Sequence, residues 1–101
     1  METIISELTG KIITDFTALR EGSDFVITFY MAKGGSYTLT HLYSYQVIIK
    51  GIEEHIVNSP ILNATQSRVD KTSTFEIETI KGAIQIVFNG AKEFIKFKSN
   101  R

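Results

Sequence analysis

The chain predicts an all-β or β-rich α+β domain, an antiparallel meander, curved sheet or small barrel of about seven strands with one short helix near residues 52–58. Three observations predict it. The C-terminal quarter divides into three β-rich runs, Ser73–Ile80, Ala83–Phe88 and Lys92–Lys98, joined by the tight turns Lys81-Gly82 and Asn89-Gly90-Ala91. Upstream runs alternate apolar and polar residues with period two, as half-buried strands do. Spacing for βαβ units, Gly-rich phosphate loops, internal repeats and heptads is absent from the sequence.

From the start of the chain, Ile4, Ile5 and Leu8 suit one amphipathic helical turn as well as an extended segment. Thr9-Gly10 breaks that pattern, and Lys11–Leu19 reads as a strand with Ile12, Thr14, Phe16 and Ala18 facing inward. Arg20–Asp24 is a polar turn before a second strand, Phe25–Met31, whose inward set is Phe25, Ile27, Phe29 and Met31. Gly34-Gly35 supplies the positive φ angles of a hairpin turn. The chain then returns as Ser36–Leu42, which places Tyr37, Leu39 and His41 together.

Tyr43–Lys50 is a fourth strand with Tyr45, Val47 and Ile49 on one side, and its apolar run Val47–Ile49 suggests cover on both faces. Ile52, His55 and Ile56 fall at helical spacing, and Asn58-Ser59-Pro60 ends that element. Ile52, Ile56 and Val57 are expected to cover a sheet edge or barrel mouth. Asn63–Lys71 is polar and reads as a loop, or as a loop with a short strand at its start. In the final meander Phe75, Ile77 and Ile80, alternate residues of Ala83–Phe88, and Ile95 and Phe97 point inward.

A chain of 101 residues makes one domain, spanning 1–101, able to bury a core without staples. Hydrophobic content of 43% and charged content of 22% place it among globular rather than disordered chains. The absence of cysteine excludes disulfides, thiolate nucleophiles and Cys-based metal sites. Acids at the N-terminus and the lack of a long apolar run point to a cytoplasmic protein with no membrane association. Net charge is zero, yet residues 1–67 carry seven acids against four bases while residues 68–101 carry seven bases against four acids.

Candidate chemistry is sparse. His41 on a strand face beside Tyr37 and Leu39 suits a hydrogen-bonded structural histidine better than a general base. His55 follows Glu53 and Glu54, but neighbouring helical residues diverge and do not chelate together. Glu76 and Glu78 alternate along the meander as the solvent face of a strand does, so they are not read as a paired acid site. No catalytic residue, metal site or cofactor is assigned, and the chain is read as a non-enzyme.

Lys96 and Lys98 beside Phe94 resemble a surface that stacks bases, but zero net charge speaks against nucleic acid, and lysines also protect edge strands. Tyr30, Tyr37, Tyr43 and Tyr45 cluster mid-chain, and tyrosine suits protein interfaces because it is large, stiff and able to hydrogen-bond.

Five fragments occur in order: Leu8-Thr-Gly-Lys-Ile-Ile13, Tyr37-Thr-Leu-Thr-His41, Val47-Ile-Ile-Lys-Gly-Ile52, Ser59-Pro-Ile-Leu-Asn-Ala64 and Thr79-Ile-Lys-Gly82. Together they resemble a family of uncharacterised small proteins of bacteria and their phages, over most of the chain. The resemblance implies a β-rich fold and a bacterial or phage setting. In that family the histidine matching His41 is soon followed by an acidic residue and a cysteine pair. Here Leu42-Tyr43-Ser44-Tyr45 follows, so no role built on those cysteines carries over.

The expected function is a non-catalytic protein-binding inhibitor, first an immunity protein neutralising a bacterial toxin. The alternatives are a phage-encoded inhibitor of a host defence system and a small-ligand or oligonucleotide-binding β module. The expected partner is another protein, a toxin or host factor, met through Tyr37, His41, Tyr43 and Tyr45, with Lys96 and Lys98 setting salt dependence.

Overall fold

Residues 2–42 and 44–89 are described by the computed structural model. They form the strands β1 (Glu2–Ile4), β2 (Ile13–Glu21), β3 (Asp24–Met31), β4 (Ser36–Leu42), β5 (Ser44–Gly51), β6 (Ile61–Val69), β7 (Thr72–Thr79) and β8 (Gly82–Asn89). A single 3-10 turn, Ser6–Leu8, follows β1, and the helix α1 (Glu53–Ile56) follows β5. The all-β expectation holds. The last predicted strand, Lys92–Lys98, lies outside the described residues.

All pairings are antiparallel and make two sheets, one ordered β1-β6-β7-β8-β5 and the other β2-β3-β4. Their apolar faces meet. Phe29 of the smaller sheet lies 5.5 Å from Phe75 of the larger, and Tyr37 stacks on Phe75 at 6.3 Å. Phe25 meets Tyr45 edge-on at 5.2 Å. These contacts make a sandwich in which inward positions of both sheets interdigitate. At one corner an isolated bridge, Ile12 to Pro60, ties the sheets, with Ile61 N donating to Lys11 O and Asn58 N to Ile13 O, both at 2.8 Å.

The core follows strand parity. Ile27, Phe29 and Met31 are buried on β3, Tyr37 and Leu39 on β4, Phe75 and Ile77 on β7, and Ile84, Ile86 and Phe88 on β8. Each large apolar side chain removed from water contributes on the order of 1.5–3 kcal/mol.

Where the structure departs from expectation, irregular geometry explains it. On β2 the register shifts between Ile13 and Asp15, a bulge that swings Ile13 onto the same face as Phe16. Ile13 is therefore buried and Thr14, expected inside, is exposed; Ala18 keeps the inward parity opposite Ile27 but is exposed. Residues Asn63–Lys71, expected as a loop, are largely β6, which is laddered on both sides, to β1 and β7. The opening segment resolves into β1 and the 3-10 turn, burying Ile5 and Leu8 and exposing Ile4.

The β7–β8 hairpin turns through Ile80-Lys81 rather than Lys81-Gly82, since Thr79 pairs with Gly82. Ile80 consequently sits exposed at the tip, and Thr79 takes the buried position. The Thr79 hydroxyl donates to Gly82 O and accepts from Lys81 N, both at 3.1 Å, fixing the turn. Gly82 has φ +144°, and a Cβ there would lie 2.1 Å from Lys50 O. Its cross-strand partner Gly51 has φ +127°. This glycine pair lets Ile56 of α1 close down on the sheet end. Of the residues expected to do so only Ile56 is fully buried; Val57 is half-buried and Ile52 is exposed. α1 stops after one turn because Asn58 adopts φ 80°, and Ser59 Oγ donates to His55 O at 2.6 Å.

Candidate partner-binding face

Of the predicted tyrosine site, Tyr37 and Tyr45 are the members whose side chains the structure describes. Tyr37 pairs with Phe29 and is only 3% exposed, so it is a core residue. Burial, and secondarily the negative charge of Glu7, push its hydroxyl up from 10.0 to about 12. Tyr45 is half-buried against Phe25 on the inner face of β5. His41 belongs to the backbone of β4, but a second bulge pairs Phe25 with Leu42 instead of His41; the His41 side chain is outside the described set. Tyr43, Lys96 and Lys98 also lie outside the described residues.

Among the described residues the most exposed tyrosine is Tyr30. The same alternation that sends Phe29 and Met31 inward sends Tyr30 outward, where it is 40% exposed. Its neighbours follow from register. Asp15, Tyr30 and Ser36 form one cross-strand row; Thr17, Thr28 and Thr38 form the next; Leu19 and Val26 continue the third. Among the described residues, the outer face of the β2-β3-β4 sheet is thus a grid with one aromatic ring, a file of hydroxyls and, at 60% exposure, Leu19.

Hydrogen bonds brace this grid. Thr28 and Thr38 hydroxyls lie 3.4 Å apart, Thr14 Oγ1 donates to Tyr30 O at 3.3 Å, and Asp15 Oδ1 accepts from Phe16 N at 2.8 Å. Thr17 Oγ1 is buried without a hydrogen-bond partner among the described residues. A rigid face combining an aromatic ring with hydroxyls suits protein recognition, because little side-chain entropy is lost on docking. The signal for Tyr30 in the sequence is the β3 alternation, which sets it opposite in parity to Phe29 and Met31.

Other chemistry is thin. No group of three or more His, Asp or Glu able to hold a metal occurs among the described residues. Glu78 is exposed on the outer face of the larger sheet, and Glu76 beside it pairs with Lys50 at 3.7 Å. A groove of about 250 Å³ beside Tyr45 is lined by Ser44, Thr72 and Asn89, whose side chains bond one another. That is below the roughly 300 Å³ at which small-molecule sites begin. A larger cleft, about 380 Å³, opens at the far end of β3 between residues 9–12 and 31–34. Among the described residues no helix is long and apolar enough to cross a membrane.

No family model, curated protein or solved structure matches the chain.

Proposed function

We propose that this chain is a non-catalytic protein-binding inhibitor, in the first instance a cytoplasmic immunity protein that neutralises a bacterial toxin. The observation that carries the reading is the outer face of β2-β3-β4, with Tyr30 as anchor, Leu19 as apolar neighbour and the Thr17–Thr28–Thr38 row between them. Aromatic anchors surrounded by polar groups dominate the energetics of protein interfaces. The immunity assignment over a phage inhibitor of host defence rests on the small size of the domain, which is an argument from analogy. A bacterial or phage setting comes from the family resemblance.

The test is co-expression with the product of the neighbouring gene, followed by calorimetry of the purified pair. Binding that Tyr30→Ala weakens at least about tenfold supports the reading, since hot-spot truncations cost about 2 kcal/mol or more. Unchanged affinity in a Leu19→Asp, Tyr30→Ala double variant removes this face from the interaction.

A second reading, a small-ligand module, is favoured by the cleft of about 380 Å³, whose lining includes Lys11 and Lys33 and no acid. Such a site takes an anionic ligand, and a thermal-shift panel of phosphates, nucleotides and carboxylates checks it. A ligand at 100 times its dissociation constant stabilises by about 2.7 kcal/mol.

A further inference from the structure

We infer that the cleft at the far end of β3 binds a small amphiphilic anion, a carboxylate or phosphate monoester carried on a short apolar body. The inference rests on the small-ligand reading above and narrows it to one ligand class.

Two stretches make the cleft, residues 9–12 ahead of β2 and residues 31–34 at the β3–β4 turn. Backbone bonds tie the first stretch to both sheets. Gly10 N donates to Ile61 O and Ile61 N to Lys11 O, both at 2.8 Å, which fixes it to the start of β6. Ala32 N donates to Ile12 O at 2.8 Å, which fixes it to the turn of the smaller sheet. Met31 N donates to Gly35 O and Gly34 N to Met31 O, closing that turn. The walls therefore stand before a ligand arrives, and little conformational entropy is lost in ordering them.

The same bonds decide how charge is read. The N–H groups of Thr9, Gly10, Lys11, Met31, Ala32 and Gly34 are all used within the protein. No two adjacent lining residues keep free N–H groups, so a backbone cradle of the kind that wraps phosphates is not formed here. Recognition falls to side chains, the Lys11 and Lys33 ammonium groups and the Thr9 hydroxyl. Lysine meets an anion as a compact point charge, so a carboxylate and a phosphate monoester are served alike. No acid belongs to the lining; Glu7, two residues before Thr9, is outside it.

The apolar lining sets the rest of the ligand. Ile12, Met31 and Ala32 face the cleft, and the thioether of Met31 adapts to irregular apolar shapes. A bare inorganic anion leaves these side chains wet, whereas a hydrocarbon body covers them. Volume limits that body. At about 30 Å³ per water molecule, a cleft of about 380 Å³ has room for roughly a dozen heavy atoms. A nucleotide is larger than that, and a free phosphate leaves most of the space empty.

Calorimetric titration of the full chain with octanoate and with hexyl phosphate, from about 10 μM to about 10 mM, tests the site. Binding of either with a dissociation constant of about 1 mM or below supports it. Octanol has the chain without the charge, and inorganic phosphate the charge without the chain; each should bind at least about tenfold more weakly. In two-dimensional NMR the amides of residues 9–12 and 31–34 should shift, and those of Ser44 and Thr72 in the smaller groove should not. Lys33→Glu should weaken the anion at least about tenfold, with Lys33→Gln between it and the wild type. Thermal melts verify that these exposed substitutions leave the fold intact. No binding of any of the four compounds by about 10 mM overturns the inference and the small-ligand reading together. Inorganic phosphate bound as tightly as hexyl phosphate keeps the anionic reading and overturns the apolar body. Octanol bound as tightly as octanoate, amide shifts confined to another part of the chain, or an affinity indifferent to Lys33→Glu overturns the anion site in this cleft.

Discussion

Tyr30 and Tyr37 sit on neighbouring strands of one sheet, and a single step of parity gives them different roles. Tyr37 opposes Phe29 and stacks on Phe75 in the core, while Tyr30 opposes Asp15 and Ser36 on the outside. The inner face of β2-β3-β4 is apolar and packed against the second sheet; the outer face is a grid of hydroxyls with one ring. The comparison teaches that composition alone does not mark a binding tyrosine. Its register against buried neighbours does, because a one-residue shift reverses every side chain.

The sharpest way to break the comparison is at Phe75, which touches both Phe29 and Tyr37. Phe75→Ala is expected to cost about 3–5 kcal/mol by urea denaturation, a large share of the 5–15 kcal/mol that holds typical domains. Tyr37→Phe is milder at neutral pH, about 1 kcal/mol, but alters the alkaline limb. The folded-state pKa is raised, so the stability contributed by neutral Tyr37 is intact below pH 10 and is lost as pH rises through about 12. Denaturation midpoints measured from pH 8 upward should fall less steeply in Tyr37→Phe than in the wild type.

On the outer face the effects shrink and the first changes sign. Thr17→Val removes a buried hydroxyl without a partner and is expected to be neutral or stabilising, by up to about 1 kcal/mol in a thermal melt. Tyr30→Ala should change stability by no more than about 0.5 kcal/mol, its cost appearing in partner affinity instead. A Tyr30→Ala variant that unfolds as readily as Phe75→Ala would erase the distinction between the faces.

Much of the fold was legible because alternation is strong where one face is dry. Phe25, Ile27, Phe29 and Met31 on β3, and Phe75 and Ile77 on β7, read directly from period two. β6 was not legible. Its inward positions include the small Ala64 and the polar Gln66, so it carries little hydrophobic pattern and exists because β1 and β7 complete its backbone ladder. The burial of Ile13 was hidden by a bulge, which no residue type at Thr14 announces. The site is half legible: the tyrosine cluster, Tyr30 included, stands out in the sequence, but which of its members faces solvent depends on register, which buries Tyr37 and exposes Tyr30.

The pairing of β1 with β6 carries a consequence for how the chain is made. Ile4 stands opposite Thr65, about sixty residues further on, and Ile5 N donates to Ala64 O at 2.8 Å, whereas β2-β3-β4 and β6-β7-β8 are joined by short hairpins. At about 5–20 residues per second, a ribosome needs roughly 3–12 s to deliver the partner that β1 requires. The three-stranded sheet can form its ladder in that interval while β1 waits. In refolding the same long separation delays β1, so pulse-labelled hydrogen exchange should protect Ile27 and Thr28 before Ile5, whose N–H donates to Ala64 O, with the first strand sealing the sandwich last.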